Sequence, residues 1–237
     1  MLASLVAAGA PLWHAQHAQW NGPWFAFAVS YALILVAAGF LVFSRSIGAQ
    51  LFARSVWWSA FGTGMLVAAF AAEQREIAGV ALVIVLSTSV ALVAAGRSAL
   101  NHARAGAFAP AAYRGPITVS MIMALADAQA LGWLGASRLY IAAHDRLGSI
   151  ERAEVTQASA MLVCSAVALL ALYGLYKLRL WGLALSAVTT LAIGVLAWTP
   201  VLGLTDAGPI PYAFSVSAII QIALLAPLLA ALVSRRA

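Results

Sequence analysis

The sequence predicts an all-α integral membrane protein: a seven-transmembrane-helix bundle with its N-terminus outside and its C-terminus inside. Three observations carry that prediction. Of 237 residues, 64% are hydrophobic and 8% charged, with a mean hydropathy of +0.97. Soluble domains carry about 25% charged residues, so this chain has too little polar surface to stay in solution and belongs in lipid. The second observation is a series of seven apolar segments separated by polar turns. The third is the way the charges sort between those turns. The whole chain, 1–237, reads as a single polytopic membrane domain.

Taken in order, residues 2–13 are apolar but too short to span, and Pro11 interrupts them. Residues 1–23 are therefore expected to form an interfacial segment. No Lys or Arg precedes Arg45, so the basic start of a secretory signal is missing and cleavage is not expected. The first span is 24–44, with Trp20, Trp24 and Phe25 at the headgroup level that aromatic rings prefer. A short basic loop with Arg45 and Arg54 leads to span two, 55–72, and Glu73–Glu76 make a polar turn. Span three, 77–96, is β-branched, but lipid admits only helices and closed barrels, and these runs are too long for barrel strands.

Loop 97–115 is the longest connection. Span four, 116–143, would be about 42 Å long at ~1.5 Å per residue, against a hydrocarbon core of about 30 Å, so its far end is expected to protrude with Arg138 snorkelling. Residues 144–156 are a charged connection in which Ser149 suits an N-cap and Glu151 and Glu154 suit the helix dipole. Spans five, 157–176, and six, 181–198, are separated by the turn 177–180. A proline-containing loop, 199–212, precedes span seven, 213–233.

With seven spans, one side receives Arg45, Arg54, Arg97, Arg104, Arg114, Lys177, Arg179, Arg235 and Arg236. The other receives Arg75, Arg138, Arg146 and Arg152, together with Glu73, Glu76, Asp145, Glu151, Glu154 and Asp206. The positive-inside rule makes the first side cytoplasmic. The net charge of +6 thus sets topology, and no nucleic-acid partner is expected. Ala is abundant and Lys177 is the single lysine among 13 basic residues. That composition suggests a GC-rich bacterial genome and hence a bacterial inner (plasma) membrane.

Asp127 is the one ionisable residue placed deep in a span. An ionised carboxylate there costs about 2.5–3.5 kcal/mol on insertion scales, which makes such a residue a functional candidate by default. Ser120, Asp127 and Arg138 share a helical face, expected to turn toward Thr63, Ser87, Thr88, Ser89, Thr189, Thr190 or Gln221. The alternative is a protonated Asp127 that pins helix packing by an interhelical hydrogen bond.

His14 and His17, with His144, could offer imidazoles to zinc or a similar ion; the alternative is three solvated interfacial histidines. Arg97, Arg104 and Arg114 could hold anionic lipid headgroups, or simply set topology. No histidine lies inside a span, which argues against bis-histidine haem at membrane depth. Lys177 sits in a turn, which argues against a retinal Schiff base. The single cysteine, Cys164, can form no intrachain disulfide, and no catalytic motif for phosphate, zinc-protease or serine-hydrolase chemistry is present.

Two functions fit these residues. One is a small transporter or proton-linked carrier in which Asp127 takes up the proton and Gln129, Ser87, Thr88 and Gln221 line its path. The other is a non-catalytic structural or accessory subunit, assembling with other membrane subunits or with copies of itself. A membrane enzyme is the less favoured reading.

Overall fold

The computed structural model describes residues 1–17, 23–44, 46–70, 75–102, 111–144, 152–205, 208 and 210–234. Among these there are eight α-helices and no strand: α1 (Leu2–His17), α2 (Pro23–Leu41), α3 (Ile47–Phe70), α4 (Arg75–His102), α5 (Ala111–His144), α6 (Arg152–Tyr176), α7 (Leu180–Leu196) and α8 (Ile210–Ser234). Ala- and Leu-rich runs favour helix intrinsically, and a helix satisfies its backbone donors and acceptors without outside partners. Two stretches, Gly115–Ala143 in α5 and Ala153–Tyr176 in α6, are long and apolar enough to cross a membrane. The helices gather into two compact units, Met1–Pro110 and Ala111–Ala237.

In the first unit, α1 lies beside α2 and α4, and α3 lies beside the same two helices, so the four close into a ring. Close approach needs small residues. A Cβ on Gly39 of α2 would come within 2.9 Å of the Ser4 Cβ of α1. One on Gly64 of α3 would come within 2.9 Å of Val85 of α4. Across the ring, the buried Trp57 indole of α3 donates to Ser4 Oγ at 3.1 Å.

Residues 2–13, expected within an interfacial segment, belong to a 16-residue helix whose Ser4, Ala7, Ala8, His14 and Ala15 are buried against neighbours. Pro11 is accommodated inside it. Likewise the first eight residues of α3, expected as loop, are helical, with Ala49, Leu51 and Ala53 buried. A helical stripe of small apolar residues was hidden there by Arg54.

The second unit is also a four-membered ring, α5–α6–α7–α8, with an added diagonal contact from α5 to α7. Its core is Leu131, Met161, Ile193, Ala197, Leu202, Leu204 and Phe214. Along the α5–α6 seam, Ser165 Oγ donates to the Ala128 carbonyl at 2.7 Å. Beside it, a Cβ on Gly132 would lie 2.8 Å from that same hydroxyl. Helices α6 and α7 meet backbone to backbone at Gly174 and Gly182, where a Cβ on Gly182 would lie 2.5 Å from the Gly174 Cα.

The turn between α6 and α7 closes α6 in a Schellman arrangement: Arg179 N–H donates to Gly174 O and Leu178 N–H to Leu175 O, both at 2.9 Å. Leu178 occupies the left-handed position, φ 52°, which glycine usually takes. At the other end, Trp198 stacks edge-on against Tyr212, centroids 4.7 Å apart, and its indole donates to Ser215 Oγ at 2.7 Å.

Candidate functional site: a closed polar group around Asp127

Three helices of the second unit each bring one buried stripe to a common line. On α7 the stripe is Ser186, Thr190, Ile193 and Ala197; on α8 it is Phe214, Ala218 and Gln221; on α5 Asp127 sits among Ala124, Ala128 and Leu131. These spacings of three and four residues are those of one helical face. The polar members are therefore held in place by the apolar residues above and below them, which fix the helix rotations.

Asp127 is 3% exposed, Thr190 2%, Ser186 1% and Gln221 fully buried. Thr190 Oγ1 lies 2.6 Å from Gln221 Oε1 and 3.4 Å from Asp127 Oδ2. The Gln221 side-chain amide donates in turn to Ser186 Oγ. The result is a chain from the carboxyl through a hydroxyl and an amide to a second hydroxyl, spanning α5, α7 and α8. The neighbouring Thr189 is buried and its hydroxyl has no partner among the described residues.

The charged group sharing the Asp127 face, Arg138, does not reach out to solvent as expected. Its guanidinium donates to Gln157 Oε1 at 2.7 Å, Gly203 O at 2.8 Å and Leu202 O at 3.4 Å. It is spent on the α7–α8 loop and stands eleven residues, about 16 Å along the helix, from Asp127. Ser120, on the same face, donates to Pro116 O of its own helix.

Of the residues expected on the path, Gln221 joins Asp127 through Thr190. Gln129 is half-buried, and two residues along a helix turns it about 200° away from the Asp127 direction. Ser87 and Thr88 belong to the first unit, where they donate to carbonyls of their own helix, Ser87 to Val83 and Thr88 to Ile84 at 2.6 Å.

For the metal reading, His14 is buried in α1, while the side chains of His17 and His144 lie outside the described residues. Among the described residues no three His, Cys, Asp or Glu side chains converge as a metal site would need. The side chains of Arg97, Arg104 and Arg114 also lie outside the described residues. In the first unit, α1 and α4 flank an apolar groove lined by residues such as Val6, Ala10, Trp13 and Val83. It offers room for an acyl chain but little to orient a polar solute.

No protein-family model matches this chain, nor does any curated protein or solved structure. The site's chemistry must therefore be argued from its own residues. Ser186 was not foreseen from the sequence. Its signal was present: a Ser and a Thr four residues apart on one face of an otherwise apolar helix.

Proposed function

We propose that this chain is an integral membrane protein acting as a small proton-linked carrier, with Asp127 as the group that takes up and releases the proton. The observation that carries the reading is a single carboxyl, almost wholly buried, with no basic partner among the described residues and a hydroxyl–amide chain leading away from it. A buried acid of this kind is costly to keep for packing alone.

Helices α2–α8 correspond to the seven expected crossings. The amino-terminal helix makes an eighth in this proposal, because it runs antiparallel beside α2 with Ser4 opposite Gly39 and so occupies the same depth. The basic loops remain on one side, the cytoplasmic face of a bacterial inner membrane, now joined by both termini.

A second reading is supported by the closure of the same group. Asp127, Thr190 and Gln221 tie three helices together, as a packing device in an accessory membrane subunit would. Asp127→Asn separates the two. A carrier loses proton-driven uptake while inserting and folding normally; a packing residue leaves uptake and assembly unchanged. Proton flux into proteoliposomes, measured with a pH-sensitive dye across an imposed solute gradient, reads the difference. Unchanged flux in the variant removes the carrier reading.

A further inference from the structure

Thr190 has one hydroxyl proton, and its two neighbours compete for it. A glutamine Oε1 carries no hydrogen, so the 2.6 Å contact with Gln221 Oε1 is a bond that Thr190 donates. The same hydroxyl can instead donate to Asp127 Oδ2 across the longer 3.4 Å contact, as it does to a carboxylate; while it donates to Gln221, a neutral Asp127 completes the chain by donating to Thr190 Oγ1. The chain therefore has a direction: Asp127 to Thr190, Thr190 to Gln221 Oε1, and Gln221 Nε2 to Ser186.

We propose that loss of the Asp127 proton reverses this chain, turning the Gln221 side-chain amide by half a revolution. The inference rests on the carrier reading for its use, though not for its chemistry. When the Asp127 O–H bond breaks and water takes the proton, the carboxylate can only accept. Thr190 turns its hydrogen to Asp127, Gln221 presents Nε2 to Thr190, and Ser186 turns its hydrogen to Gln221 Oε1. Each of the four side chains stays bonded, and the amide keeps its shape, since its oxygen and nitrogen occupy nearly the same volume. The two states thus differ in polarity along the α7–α8 seam, one helical turn beyond the acid.

The described hydrogen bonds of this group include no second charged side chain. Helix α7 holds no titratable residue between Leu180 and Leu196, and α8 holds only Tyr212, which is against Trp198. Helix α6 contributes the half-buried Cys164, packed against the core of this unit, with Arg152 and Glu154 at one end and Tyr173 and Tyr176 at the other. On α5 itself Arg138 is bound to the loop carbonyls; Tyr140 is exposed, Tyr113 and Arg114 lie toward its start, and His144 is its last residue.

The test is a pH titration of the full chain in lipid bilayers, with protons as the only ligand. Infrared spectroscopy reads the protonated carboxyl band, and solid-state NMR of glutamine-labelled protein reads the Gln221 side-chain amide, assigned by its loss in Gln221→Leu. The expected result is a carboxyl band that Asp127→Asn abolishes. It should disappear with rising pH at the same midpoint at which the Gln221 amide resonances move. Thr190→Ser keeps the two midpoints together, and Thr190→Val leaves Gln221 unmoved while Asp127 still titrates. Absence of a protonated Asp127 band at every pH where the protein is folded overturns the proposal, as does a Gln221 signal that ignores the titration. If Thr190→Val fails to fold, the wild-type titration alone decides. Loss of the carrier reading is a separate result: a linked Asp127–Gln221 titration with unaltered proton flux in Asp127→Asn removes the carrier and leaves the switch.

Discussion

Arg138 Nη1 lies 2.7 Å from Gln157 Oε1, and together the two side chains hold the loop that joins α7 to α8. Arg138 bonds the Leu202 and Gly203 carbonyls, and Gln157 Nε2 donates to Pro200 O at 3.1 Å. The loop takes a left-handed turn at Gly203, φ 58°, where a Cβ would collide with the Gln157 amide. Helix ends buried without partners are unstable, and here a guanidinium supplies the donors that the loop carbonyls need.

Arg138→Met is expected to destabilise the protein by about 2 kcal/mol, the scale of a hydrogen bond to a charged group. Arg138→Lys should recover little of it, because one ammonium cannot reproduce the planar fork. Thermal unfolding in detergent checks the first statement. Amide hydrogen exchange over 199–205, faster in both variants, checks that the loop is what has loosened.

Thr190→Val removes the hydroxyl common to Asp127 and Gln221 while keeping the volume. In water-soluble proteins such a loss costs about 1–3 kcal/mol. In a bilayer the separated helices also find partners, and measured interhelical bonds average about 0.6 kcal/mol with a maximum near ~1.7. The expected loss lies at the upper end of that lower range, because two partners are orphaned at once. Thr190→Ser should cost less than half as much, and equilibrium unfolding of both variants measures the difference.

The all-helical fold was legible because long Ala- and Leu-rich apolar runs favour helix. Asp127 stood out as a lone carboxyl in an apolar run, and the structure buries it. The buried face of residues 2–13 was not legible, because helix–helix packing in this unit uses Ala, Ser and Gly, whose burial leaves no strong pattern in a short stretch. The Thr190–Gln221 link was visible only as one choice among seven polar residues. Which of them meets Asp127 depends on the rotation of three helices, and that is fixed by packing stripes on α7 and α8 that no local pattern connects.

Gly182→Leu tests the closest helix contact. Any side chain at this position is driven into the backbone of Gly174, and overpacking of this kind costs roughly 1–3 kcal/mol. The same substitution at Gly62, where a Cβ would meet nothing within 4 Å, should change stability by less than about 0.5 kcal/mol. Comparing the two midpoints in one denaturation series distinguishes close packing from a general aversion to bulk.

Leu178→Gly should stabilise the α6–α7 turn. A left-handed backbone at a residue with a Cβ costs about 1–2 kcal/mol, and part of that is returned because glycine is more flexible when unfolded. The expected gain is about 0.5–1 kcal/mol. A lowered midpoint would mean that the half-buried Leu178 side chain makes contacts worth more than its backbone strain.

The last prediction concerns the amino terminus. Counting α1 as interfacial puts the first residue outside; counting it as a crossing puts it inside, with the carboxyl terminus. At 16 residues and ~1.5 Å each, α1 is about 24 Å long, close to α7 with its 17 residues. Its first turn faces the last turns of α2, and the two helices pack along each other. If α2 crosses the membrane, a helix so placed crosses beside it. Single cysteines at Ala3 and at Ala237, each introduced in a Cys164→Ala background, should both resist a membrane-impermeant maleimide in intact cells and react in inverted vesicles. Labelling of the Ala3 cysteine from outside the cell would restore the seven-crossing topology and return α1 to the membrane surface.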